Sequence, residues 1–204
     1  MVQSQAGPSR QVWLIFNRAV PPVDRAEVRL GLGMALDRRL LAEVDSSWAF
    51  VSVTTPPQGA ERQGVLEQLA GAGLPDGFDL DLWYTVSDQV AERLRQQLAE
   101  TGHVEIAWHV ATGAELLSGL ADVDGQALPS LAGAFLVSWA RDWEGERWLA
   151  LAGWGGLDAA TLEAEASALL LYAGAPAFVY RAGLEGLGVT AGGWPRVTAQ
   201  TALP

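Results

Sequence analysis

Few residues in this 204-residue chain have the type and spacing that chemistry needs. His103, Glu105 and His109 fall on one face of an expected strand, an arrangement that can hold a metal ion. They are joined by no further histidine, and a polar strand face is equally satisfied by water, so no metal site is expected. Ser138, His109 and an acid could make a hydrolytic triad on paper, but no G-x-S-x-G turn presents the serine. Gly153-Trp154-Gly155-Gly156 precedes an expected helix, where a phosphate could sit on the N-terminus. The third glycine of a dinucleotide fingerprint is replaced by Asp158, whose charge repels phosphate, so a plain turn is expected. With no cysteine and no lysine, thiolate chemistry, disulfides, Schiff bases and a phosphate-loop lysine are excluded. The expectation is a non-enzyme with no catalytic residue and no cofactor.

Binding is a better fit to the composition. Four of the nine tryptophans, Trp139, Trp143, Trp148 and Trp154, lie close together in sequence. They suit either a bulky core under a loop or the aromatic wall of a ligand cleft. Asp142 lies among them, beside Arg141 and near Arg147. The net charge is −11 and the arginines are scattered along the sequence, so direct nucleic-acid binding is not expected. Residues 1–10 carry no apolar signal core, and the apolar stretches 127–140 and 168–180 are interrupted by Pro129 and Pro176. Location therefore stays open between a cytoplasmic chain and a piece of a longer secreted protein.

The elements that must position these groups follow from periodicity. Val12–Asn17 reads as a buried strand. Asp24 can cap a helix to about Val44, with Val28, Leu32, Leu36 and Leu40 on one stripe. Residues 54–59 read as a loop, and 61–72 as a helix closed by Gly73. Phe78–Tyr84 alternates Phe78, Leu80, Leu82 and Tyr84 against Asp79 and Asp81. Ser87 caps a helix with Val90, Leu94 and Leu98 in line, ended by a left-handed Gly102. His103–Val110 is a second strand, which completes a parallel β-α-β unit. Thr112 and Glu115 form a capping box. Ala132–Trp139 reads as a strand, Trp148–Ala152 as another, Asp158–Tyr172 as a helix and Ala177–Tyr180 as a strand. The whole, 1–204, reads as one α/β domain with irregular ends at 1–11 and 192–204.

The series Leu14-Ile15-Phe16-Asn17, Pro22-Val23-Asp24, Val28-Arg29 and Ala35-Leu36-Asp37-Arg38 resembles the opening of the third domain in family 5 solute-binding proteins of ABC transporters. That is the oligopeptide, dipeptide and nickel-binding type. The likeness continues in 66–78, in Leu98–Val104, in Trp139-Ala140-Arg141-Asp142-Trp143, which resembles the family's "W-aDy" motif, and in Ala175–Tyr180. Gly31 and Gly33 replace better helix formers. The stretch after Trp143 is shorter than the family's.

The resemblance implies a single C-terminal lobe of a type II periplasmic-binding-protein-like fold, a mixed sheet flanked by helices. It implies a peptide-like or other small solute as ligand. Asp142 would pair with the ligand's ammonium group, because a carboxylate accepts strong charge-assisted bonds from it. Trp139 and Trp143 would pack on the ligand chain. The implied partners are an N-terminal lobe of the same parent and an ABC permease. Two other expectations share the resemblance: a sensor domain of a cytoplasmic transcription regulator, and a lobe that has lost its ligand.

Overall fold

The computed structural model describes residues 2–6, 10–45, 50–52, 62–110, 132–139, 148–150, 152–157, 159–175, 177–181, 187–189 and 195–197. The loop at 54–59, the capping box at Thr112 and Glu115, and residues Asp142, Trp143 and Asp158 lie outside the described residues.

Its centre is a six-stranded sheet in the order β3-β7-β2-β6-β4-β5. The strands are β2 (Arg10–Phe16), β3 (Phe50–Ser52), β4 (Phe78–Tyr84), β5 (Val104–Val110), β6 (Ala134–Trp139) and β7 (Ala168–Ala175). β4 runs parallel to both β5 and β6, and the other pairings are antiparallel. The α/β class with a mixed, helix-flanked sheet is as expected, and so is the parallel β-α-β unit. Helices α1 (Ala26–Ala35), α2 (Arg38–Val44), α3 (Arg62–Gly71) and α4 (Asp88–Gly102) cover one face. There they bury Leu14, Phe16, Leu82 and Leu136 with Val28, Leu32, Leu69 and Leu94. On the other face Ile15, Phe135, Val137 and Trp139 pack with Trp148, Trp154 and Leu162, the last from α5 (Ala159–Ala164).

The expected helix from Asp24 to Val44 is two helices. Asp24 is not its cap; Arg25 holds that position without a side-chain bond, and the Asp24 carbonyl accepts from Arg29 instead. The break falls at Leu36-Asp37. Asp37 Oδ1 accepts from the backbone N–H groups of Arg39 and Leu40, at 3.0 and 3.1 Å, and so opens α2. The buried Gln97 side chain bonds both the N–H and the carbonyl of Asp37. The peptide groups freed by the break therefore keep partners in the core. Gly31 lets α1 approach α3 closely, since a methyl there would meet Leu69 at 3.2 Å.

The expected helix from Asp158 to Tyr172 stops at Ala164, and Ala168–Ala175 is the strand β7. A continuous apolar run has no period that distinguishes strand from helix. Here it lies between β2 and β3, with Leu169 and Tyr172 in the helix-side core and Ala168 in the opposite one. A bulge at Leu171 shifts the register, so Leu171 and Tyr172, though adjacent, both enter the helix-side core. Trp148–Ala152 is not a strand: 148–150 is one helical turn, closed by Gly153 N–H to Ala150 O and Trp154 N–H to Leu149 O. Gly102 ends α4 without leaving the helix; His103, at φ 52°, takes the left-handed position. Ser87 stands at the α4 N-cap but its hydroxyl makes no cap bond.

The ends are also corrected. β1 (Val2–Ala6) pairs antiparallel with β8 (Ala177–Arg181), and β9 (Leu187–Val189) pairs with β10 (Pro195–Val197). Segments 1–11 and 192–204 therefore carry strands. Their partners are set by tertiary pairing, which local composition does not encode.

Tyr172 donates to Asp45 Oδ2 at 2.7 Å inside the core. Burial, and then the Asp45 bond, push the phenol far above its usual value, so the folded chain holds it protonated. The unfolded phenol titrates near 10.0. This contribution to stability is complete below about pH 10 and is lost as pH rises beyond it. Thermal melts between pH 8 and 11 should show that decline. Tyr172→Phe should remove it, at a cost of about 1–2 kcal/mol at neutral pH.

Candidate ligand-binding end of the sheet

Strands β4, β5 and β6 point the same way, so Tyr84, Val110 and Trp139 end at one edge of the sheet. Crevices outside the carboxyl ends of such strands are the usual ligand sites of open α/β sheets. β2 is antiparallel to β6 and starts at this edge, bringing Arg10 and Gln11 there.

Side chains alternate across the sheet, so this end has two surfaces. On the helix side, Arg10 Nη2 donates to Ser138 Oγ at 3.3 Å. Tyr84 donates its hydroxyl to Asp88 Oδ1 at 3.0 Å, which ties the end of β4 to the start of α4. Burial, and secondarily Asp88, raise the Tyr84 pKa.

On the opposite surface stand two ring pairs. Trp13 stacks on Trp139, with centroids 5.2 Å apart and planes 7° apart. The Trp13 indole N–H donates to Gln11 Oε1 at 3.0 Å, and Gln11 lies directly across from Trp139 in the β2–β6 register. Farther along, Trp83 stacks on His109 at 4.9 Å, and His109 Nε2 lies 2.8 Å from Asp81 Oδ1. The strand pairing requires this, since Asp81 and Trp83 lie on the same surface as His109 and the next strand's Phe135.

The residues singled out from the sequence are placed as follows. Ser138 and His109 lie on opposite surfaces of the sheet, so no triad forms. His103 is off the strand, Glu105 and His109 are four residues apart, and among the described residues no group of three or more metal-ligating side chains exists. Trp139 does sit at the carboxyl end, but it is only 6% exposed because Trp13 covers it. Trp148 and Trp154 are core residues. The Trp154 indole N–H is bonded to Phe16 O, and the ring is stacked by Arg18 and Arg29. Trp13, Gln11 and Trp83 were not anticipated as site residues. The alternation of 78–84 does put Trp83 with Asp79 and Asp81, and that signal could have found it.

No family model matches the sequence, and no curated protein matches it. Solved structures do. The periplasmic binding protein DppA of Helicobacter pylori, in complex with the peptide STSA, superposes with a TM-score of 0.68 at 14% identity, covering 91% of this chain and 46% of that one. A dipeptide-binding protein of Pseudoalteromonas sp. SM9913, in complex with Met-Leu, gives 0.61 at 17% identity, covering 95% and 48%. The oligopeptide-binding protein AppA of Bacillus subtilis, in complex with a nonapeptide, gives 0.62 at 13% identity, covering 94% and 50%. The chain has the fold of one periplasmic-binding-protein lobe. This lobe spans about half the length of the solved structures it matches. Those structures are named for binding, not for catalysis.

Proposed function

We propose that this chain, over 1–204, is the C-terminal lobe of a solute-binding protein of the family 5 type. It holds a peptide-like or other small solute against a second lobe of its parent and delivers it to an ABC permease. The observation that carries the reading is the fold: a lobe half the length of proteins whose structures hold peptides. Its parallel strands end together at an edge faced with aromatic rings.

In this reading Asp142, three residues after the end of β6, accepts the ligand's ammonium group. Trp143 lies against the ligand chain, and Trp139 backs the aromatic wall. A charge-assisted bond of this kind contributes about 1.5–3 kcal/mol, so Asp142→Ala should weaken peptide binding by about 10- to 100-fold. Calorimetric titration of short peptides into the parent protein measures this. N-acetylated peptides should lose affinity to the same extent. Unchanged affinity in Asp142→Ala would overturn the role given to that carboxylate.

A further inference from the structure

Resting on that reading, we infer that Trp13, with Gln11, is the ligand-contacting surface of the lobe, and that Trp139 is its support. Both residues belong to β2, whose first half lies at the carboxyl end of β6. Gln11 and Trp13 point to the same surface, two residues apart. Trp139 sits opposite Gln11, diagonal to Trp13, within the reach of an aromatic ring across a strand pair.

The stack fixes which indole a ligand meets. Trp13 covers Trp139, leaving the latter 6% exposed, while Trp13 itself is only partly buried. A stacked and hydrogen-bonded ring loses little further freedom when a ligand settles on it, so it is preorganised. Gln11 adds direction. Its Oε1 is occupied by the Trp13 N–H at 3.0 Å. The amide NH2 has no hydrogen-bond partner among the described residues, so it retains two donors.

An apolar ring beside paired N–H donors suits one ligand chemistry well. That is an extended peptide, whose carbonyl oxygens accept and whose apolar side chain rests on the indole. The surface is less suited to a metal chelate, because neither residue bears a charge. Trp13 and Gln11 thus set side-chain preference, while Asp142 would select the terminal ammonium.

The test is a ¹H–¹⁵N NMR titration of the 204-residue chain with the tripeptide Ala-Phe-Ala, which detects weak binding by a single lobe. Trp13→Phe assigns the Trp13 indole signal. The Trp13 indole and the Gln11 side-chain amide should shift on titration, and the Trp139 indole should shift less. Trp13→Ala should weaken binding at least tenfold, Gln11→Ala by about threefold, and Trp13→Phe should bind nearly as the parent does. Thermal melts of the same samples separate loss of binding from loss of fold. If the peptide moves other signals while those of Trp13 and Gln11 stay fixed, the assignment is wrong and the ligand reading survives. If no signal moves at any concentration, the assignment is overturned as well, and the calorimetric titration of the parent protein decides the ligand reading separately.

Discussion

Replacing Arg29 by methionine should lower the unfolding free energy by about 3–5 kcal/mol, among the largest losses for a single side chain in this fold. Arg29, on α1, is 1% exposed. Its Nε donates to the Glu165 carbonyl at 3.0 Å, and its Nη1 to the carbonyls of Val23 and Asp24 at 3.0 and 2.8 Å. The guanidinium also lies 4.8 Å from the centre of the Trp154 ring. Methionine fills most of the volume but leaves three carbonyls without a donor, at about 1–3 kcal/mol for each that water cannot reach.

The ion pair to Glu165 is a smaller matter. It is 3.4 Å long and the Glu165 side chain is 51% exposed. Glu165→Gln should therefore cost less than about 1 kcal/mol. Burial lowers the Arg29 pKa, with Glu165 acting against that shift and Arg18 adding to it, yet a guanidinium stays charged throughout the working range. Urea melts of both variants provide the comparison. Equal losses would mean that the ion pair, and not the carbonyl cage, holds this corner.

Gly77→Ala should cost about 3–4 kcal/mol, for a different reason. Gly77 has φ 83°, and a Cβ there would stand 1.9 Å from the carbonyl oxygen of His103. The obstacle is backbone, which cannot swing aside as a side-chain tip can. Gly77 precedes β4 and His103 precedes β5, so the substitution would push apart the starts of two paired strands. Amide hydrogen exchange should accelerate first in 78–80 and 104–106. His103→Gly would relieve the left-handed strain at 103 but keep the carbonyl in place, and so should not rescue Gly77→Ala.

The β4-α4-β5 unit was legible in the sequence because each of its periods is clean. Leu80, Leu82 and Tyr84 alternate; Val90, Leu94 and Leu98 keep a helical stripe; and all are buried as that pattern requires. The break between α1 and α2 was not legible, since the group that makes it tolerable, Gln97, comes from another helix. β7 was not legible because its run is apolar throughout and bulged at Leu171, and so keeps no alternation. At the candidate site, Trp139 could be singled out from its neighbours in sequence. Its cover could not, because the Trp13–Trp139 stack exists only once β2 and β6 pair.

That pairing also sets an order of assembly. β2 takes its two neighbours from β6 and β7, both more than a hundred residues later in the chain. At about 5–20 residues per second of synthesis, β2 emerges roughly 6–24 s before the first of them. Until then Val12, Leu14, Ile15 and Phe16, all at most 1% exposed in the folded lobe, have no sheet to enter. The local β4-α4-β5 unit can form meanwhile, whereas the central strand must wait, so the topology itself favours slow folding with β2 exposed in the interval.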